Sequence, residues 1–397
     1  MSAPQTNSRW SISRLRRITT ASHRYMAEVD GLRFIAIFSV MLFHVYFNVA
    51  HSRDIQLAPG KFDFLAWPIT NGFRGVQLFF VISGFILGLP FAAHYITGGP
   101  PVKIGRFYLR RITRLEPPYI LALLLVYAAA VLMHNVHTKE PGFFSGLPLR
   151  LAYSYYFIRL APSTLDGVTW TLEIEVQFYL LAPLLAKVFK LPAVPRRLAL
   201  IVAIIGVPFL TLIVPRGEHT LLGFVQYFLI GFLMADFHCT NAGKGWLPAW
   251  LLDLAGVGCL LTMLFMPETP LVLNLLPWVL GGIFIAALRG NLFTAFLRLP
   301  TISVIGGMCY SLYLLHNPIL SFITNKVVVN GMSVPLAYFR LLIIGMPPVM
   351  IAGIVYYILI ERPCMVPNWP RLAFHYFSRK MSGTSQAASP IPDSSVK

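Results

Sequence analysis

Charge is what this chain has least of. Only 12% of its 397 residues are Asp, Glu, Lys or Arg, against roughly 25% in an ordinary soluble domain. With 56% of residues hydrophobic, that scarcity excludes a disordered chain and argues against a water-soluble globule. Acidic residues are scarcer still, 15 against 32 Lys and Arg, for a net charge of +17. Such a balance in a charge-rich chain would suggest nucleic acid, but here the apolar excess points to a bilayer and to no nucleic-acid partner. Cysteine is rare as well: Cys239, Cys259, Cys309 and Cys364 lie far apart without a C-x-x-C pair. That spacing argues against a disulfide framework and a structural zinc site, and free thiols are expected. A cleavable leader is not expected either, because the basic N-terminal segment runs into a full-length apolar run with no A-x-A-like site.

What the chain has in abundance is long apolar runs. Crossing a hydrocarbon core of ~30 Å takes roughly 20 helical residues. Ten stretches fit, near 30–49, 75–97, 117–134, 169–189, 198–214, 220–237, 248–266, 271–288, 302–325 and 336–360. The expected fold is therefore all-α, a polytopic integral membrane protein of about ten transmembrane helices. Runs seven and eight are split by Pro267-Glu268-Thr269-Pro270, a helix-breaking turn. With the N-terminus in the cytoplasm, 22 Lys and Arg fall in inside segments and eight in outside segments. That bias predicts an N-in, C-in, multi-pass protein of the cell (inner) membrane. Residues 1–25 read as a basic cytoplasmic segment, 26–365 as the transmembrane domain and 366–397 as a cytoplasmic tail. Beyond Met381 the tail is Pro/Ser-rich and expected to be disordered.

Ionisable groups inside an apolar run are costly and mark function by default. In the first run Arg33 and His44 are eleven residues apart, within roughly 20° of whole helical turns and about 16 Å in rise. They share a stripe that starts near Asp30 and continues to Asn48 one turn beyond. A neutral His at the bilayer midplane is suited to general-base work, its reference pKa being about 6.5. After the second run, Arg110, Arg111 and Arg114 cluster at helical spacing, a set of guanidinium forks suited to a phosphorylated ligand or to lipid headgroups. The fourth run opens with Trp170, Glu173, Glu175, Gln177 and Tyr179. Glu173 and Glu175 point about 200° apart and cannot act as a pair, whereas Glu175 and Tyr179 share a face. Ser83 with Gly84 in the second run allows close helix approach. Tyr310, Ser311, His316 and Asn317 bring a second intramembrane histidine, and Pro318 is expected to disturb that helix.

Taken in order, these motifs resemble the membrane acyltransferase 3 family, which contains bacterial O-antigen and exopolysaccharide O-acetyltransferases. The matching elements are Asp30-Gly31-Leu32-Arg33 with His44, Gly75 to Phe85 with its Ser83-Gly84-Phe85, Arg111-x-x-Arg114, Thr169 to Tyr179, Tyr310 to Pro318, and Glu361-Arg362-Pro363. The resemblance spans about residues 25 to 365. It implies transfer of an acyl group, usually acetyl, from cytoplasmic acyl-CoA to a hydroxyl of a carbohydrate or glycolipid of the cell envelope. It makes His44 the catalytic histidine, Arg33 its partner, Arg111 and Arg114 contributors to the acyl-donor site, and Glu175 the motif glutamate; Glu173 falls at a variable position. Acetyl-CoA would be a co-substrate, with no bound cofactor and no metal. Asp30, Asn48, Ser83, Trp170, Tyr179, Tyr310 and His316 are the expected site-lining residues. The chain resembles the single-domain members, which implies that the acyl group is not handed to a fused hydrolase-like partner. Direct transfer with His44 as general base and an acyl-histidine intermediate both remain open. The competing class is a glycolipid transporter or flippase whose polar stripe lines a path without chemistry. Aromatics in the two long outer loops (Phe62, Trp67, Phe143, Tyr153, Tyr155, Tyr156) suit either sugar stacking or interfacial anchoring.

Overall fold

The computed structural model describes residues 15, 17, 25–52, 66–132, 147–153, 167–211, 213–214, 220–267, 269–329, 331–366 and 369. Phe62, Phe143, Tyr155, Tyr156, most of the basic N-terminal segment and the tail beyond Trp369 lie outside them. Among the described residues the chain is helical without strands. The long helices are α1 (Ala27–Ser52), α2 (Gly75–Thr97), α3 (Ile104–Leu132), α4 (Trp170–Leu185), α5 (Ala193–Leu210), α6 (Val225–Thr240), α7 (Ala249–Phe265), α8 (Pro270–Arg289), α9 (Cys309–Val327) and α10 (Val334–Tyr356). Each overlaps one of the ten apolar runs. Five helical stretches are long and apolar enough to cross a membrane: Ala27–Ser52, Ala66–Thr97, Ile104–Leu132, Ala193–Leu210 and Val334–Cys364. The others fall short for local reasons. Helices α4, α6 and α7 have 16, 16 and 17 residues, and α9 carries Asn, His and Lys along its length.

The expected ninth run is two helices, Pro300–Gly307 and α9, meeting at Met308. Gly306 lies so close to α1 that a Cβ there would sit 1.7 Å from the Asp30 carbonyl oxygen, so the chain is drawn against α1 before it turns. Helix α3 begins at Ile104, thirteen residues before the expected start, and runs through Pro117 and Pro118; α9 likewise runs through Pro318. A proline removes one donor, and inside a membrane the freed carbonyl needs another partner. For Pro117 that carbonyl is Thr113, which accepts from Trp369 Nε1 at 2.8 Å. The adjacent carbonyls of Leu115 and Pro118 accept from Tyr310 Oη and Tyr356 Oη. The Pro267–Pro270 break stands as expected between α7 and α8.

Helix α1 is central, flanked by α2, Pro300–Gly307, α9 and α10. Helix α2 crosses α6 at van der Waals contact, where a Cβ on Gly231 would lie 2.3 Å from Val81 O and one on Gly84 2.1 Å from Phe228 O. Only glycine allows that approach, as small residues do generally at membrane helix crossings. The outward faces are apolar: Val202, Leu254, Ile343 and Ile351 are each more than 60% exposed. A soluble protein covers such residues, so this surface suits lipid.

Several arginines that a topology count treats as loop charges are instead part of the packing. Arg74 is buried and donates to Met263 O at the C-terminal end of α7, where a cation complements the helix dipole. Arg150 is buried against the Tyr127 hydroxyl. At the start of α5, Arg196 Nε and Arg197 Nε each donate at 2.7 Å to the two carboxylate oxygens of Asp236, a fully buried residue of α6. Removing one member of a buried ion group strands the others. Asp236→Ala is expected to cost about 3–5 kcal/mol, read as a lowered melting temperature in detergent; a melting temperature equal to wild type would contradict it.

Candidate active site

The polar residues of α1 meet those of α9. His316 Nε2 lies 3.2 Å from His44 Nδ1, with the rings edge-on at 75° and 4.8 Å between centroids. His316 is fully buried, and its Nδ1 sits 2.8 Å from Tyr313 O and 3.0 Å from Leu312 O. His44 is half-buried beside Phe43 and Phe47, its Nδ1 also 2.9 Å from Val40 O. Its Nε2 makes no hydrogen bond among the described residues. One turn on, Asn48 Nδ2 donates to His44 O at 2.8 Å and across to Asn317 Oδ1 at 3.1 Å. That cross-helix bond holds α1 and α9 in register beside the two rings.

A cavity lined by α1, α2, α3, α4 and α9 has four arginines (Arg17, Arg33, Arg111 and Arg114) on its wall. Buried Asp30 pairs with Arg33 and with Arg17, the latter at 3.3 Å. Arg111 rests between the Phe107 and Tyr179 rings, its guanidinium carbon 5.9 and 5.7 Å from their centroids. Neither Arg111 nor Arg114 has a hydrogen bond or ion pair to protein among the described residues, and Arg114 Nε is buried without a partner. Glu175 accepts from Ser83 Oγ at 2.7 Å on the same wall. Buried Glu361, presented by a π-helical turn at Tyr357–Glu361, accepts from Ser311 N and Oγ at 3.1 and 2.6 Å. The carboxylates are thus bonded elsewhere, and the cavity keeps unpartnered guanidinium donors. Burying a charge without a partner is costly, so this wall suits an anionic ligand.

The cavity and the histidine pair adjoin through Tyr313. Its ring lines the cavity and lies 5.8 Å from His316, while its hydroxyl is 2.5 Å from both Thr171 Oγ1 and Val168 O. A second, more apolar lobe between α3 and α4 shares Arg111, Leu115, Leu172, Glu175, Tyr179 and Tyr310 with the first.

Most of the residues singled out from sequence converge here, with exceptions. Arg33, Ser83, Arg111, Arg114, Glu175, Tyr179 and Tyr310 line the cavity, and Asp30 holds two of its arginines. Arg110 does not: although four residues from Arg114 and so on a neighbouring part of α3, it is exposed and outside the cavity lining. Trp170 packs on Phe224 and lines neither lobe. His44 and His316 are absent from the cavity lining, so the shared stripe does not run unbroken from Arg33 to His44. Glu175 lines the cavity, whereas His316 does not. Glu173 is buried away from the cavity. Of the loop aromatics, Trp67 is exposed and Tyr153 stacks on Tyr119 while donating to Glu116 at 3.1 Å. Arg17, Thr171 and Tyr313 were not singled out from the sequence. Arg17 lay in a segment read only as topogenic, and no spacing ties it to Asp30.

Residues 26–359 match the acyltransferase domain family. The O-acetyltransferase OatA of Staphylococcus aureus (strain NCTC 8325 / PS 47) is 26% identical over 346 residues, covering 78% of this chain and 53% of that protein. A putative O-acetyltransferase, SAS0844, of S. aureus strain MSSA476 is 26% identical over 355 residues, covering 80% and 54%. The chain thus spans about half the length of the curated relatives it matches. No solved structure matches it. The family match covers most of the helical bundle, including His44, Arg111, Arg114 and His316, and this chain belongs to the membrane acyltransferase 3 family.

Proposed function

We propose that the chain transfers an acetyl group from acetyl-CoA to a hydroxyl of a carbohydrate or glycolipid of the cell envelope, with His44 as general base. The observation that carries this reading is the pair of guanidinium groups on the cavity wall, Arg111 and Arg114, which make no hydrogen bond or ion pair to protein among the described residues, in a cavity that adjoins the His44–His316 pair through Tyr313. The donor phosphates bind the arginine wall from the cytoplasmic side, with the Lys/Arg bias orienting the protein N-in and C-in in the inner membrane. Arg33 and His44 are separated by about 16 Å of helix rise, a distance the pantetheine arm covers in passing Tyr313.

The acceptor hydroxyl gives its proton to His44 Nε2 and its oxygen attacks the thioester carbonyl. The C–S bond then breaks, and the leaving thiolate takes the proton back from His44. General-base assistance supplies about 10²–10⁴-fold, and positioning of the two substrates supplies much of the rest. Glu175, anchored by Ser83, lies on the wall with Arg111 and Tyr179 and helps hold that wall in place.

The test is thioester turnover by purified protein in lipid, with acetyl-CoA labelled on the acetyl group and label followed into envelope saccharides. Release of free CoA with label in the saccharide fraction is the expected result. A glycolipid transporter would bind or move its lipid and leave the thioester intact.

A further inference from the structure

We infer that His316 is a positioning residue that holds His44 in a single tautomer, with the proton on Nδ1 and the lone pair on Nε2, and shares the charge when Nε2 takes up a proton. This rests on the reading of His44 as the base. The argument follows the donors and acceptors around the two rings. Main-chain carbonyls only accept, and His316 Nδ1 faces two of them, Tyr313 O at 2.8 Å and Leu312 O at 3.0 Å. His316 Nδ1 must therefore carry a hydrogen. A neutral imidazole has one N–H, so His316 Nε2 presents a lone pair to His44 Nδ1 at 3.2 Å.

Only His44 Nδ1 can supply the hydrogen between the rings. It faces Val40 O at 2.9 Å as well, so a lone pair there would meet two acceptors and a hydrogen satisfies both. The alternative, a hydrogen on both nitrogens of His316, places a cation in a fully buried ring and turns the His44 lone pair onto a carbonyl oxygen, each of which is unfavourable. With Nδ1 protonated, Nε2 is the basic atom of His44.

The arrangement does what the carboxylate does in a Ser-His-Asp triad, with a neutral acceptor in its place. When Nε2 accepts the hydroxyl proton, the imidazolium keeps its Nδ1–H bonded to His316 Nε2. The second imidazole stabilises that cation without a buried anion, and nothing need be oxidised or reduced. His316 can do this because its own Nδ1–H is anchored in the first turns of α9 and its ring is closed off from solvent.

Three forms of the full-length protein in lipid bilayers test this: wild type, His316→Leu and His316→Gln. Gln offers an amide oxygen as acceptor, whereas Leu fills the space without one. Losing the acceptor is expected to lower kcat by about 10²-fold, within the range general-base assistance supplies, while KM for acetyl-CoA stays unchanged; Gln should recover at least a tenth of wild-type kcat. Nitrogen-15 spectra of the histidine rings, assigned by difference against His44→Ala, report the tautomer without reference to activity. The expected spectrum has His44 protonated at Nδ1 in wild type and a smaller share of that tautomer in His316→Leu, where Val40 O is the acceptor that remains. Wild-type kcat in His316→Leu, or a His44 spectrum it leaves unmoved, would overturn the inference. If the wild-type protein turned over no thioester, the spectrum would still decide the tautomer, so the two readings fail separately.

Discussion

His44→Ala is expected to lower acetyl transfer by about 10²–10⁴-fold, the contribution of a positioned general base. His316 is fully buried and its Nδ1 is committed to two carbonyls, and His51, exposed on α1, lies two turns beyond His44. Membranes with matched amounts of wild-type and variant protein, supplied with acetyl-labelled acetyl-CoA, give the measurement. The side chain is half-buried and bonds mainly to its own helix, so the variant should keep its fold. Equal label from both proteins would remove His44 from the chemistry.

The second large effect concerns the donor. Arg111→Ala with Arg114→Ala should raise KM for acetyl-CoA by at least about 10²-fold, since a hydrogen bond to a charged group contributes about 1.5–3 kcal/mol and tenfold in affinity is about 1.4 kcal/mol. Neither guanidinium makes a hydrogen bond or ion pair to protein among the described residues, Arg111 resting against two aromatic rings, so their loss breaks no ion pair and the effect should appear in binding more than in stability. Acetyl-pantetheine, which lacks the nucleotide phosphates, provides the control. Its turnover should be slow with wild type and no slower with the double variant. An unchanged KM for acetyl-CoA would place the phosphates elsewhere. The exposed neighbour supplies a contrast, because Arg110→Ala should change KM little.

Legibility from sequence differed by residue. The Arg33–His44 and Arg111–Arg114 spacings were readable because helix geometry converts three or eleven residues into a shared face. Spacing alone also groups Arg110 with Arg114, and only the tertiary structure shows Arg110 exposed and outside the cavity. Helix ends are less legible where prolines occur. Pro117 sits inside α3 because Trp369, some 250 residues away in the chain, satisfies the carbonyl it frees. Counting arginines for topology likewise mixed loop charges with Arg74, Arg150 and Arg196, whose partners come from other helices.

The amino-acid sequence by itself determined the helical character, the place of the apolar runs, the polar stripe on α1 and the family motifs. Each depends on composition or on periodicity within one helix. The tertiary structure decided which helices meet at those stripes. It set His316 against His44, brought Arg17 from outside the bundle to Asp30, and inserted Tyr313 between the arginine cavity and the histidines. Such contacts join residues tens to hundreds of positions apart. They follow from helix packing, here from glycine approaches such as Gly306 on Asp30 and Gly231 on Val81, and no spacing along the chain encodes them.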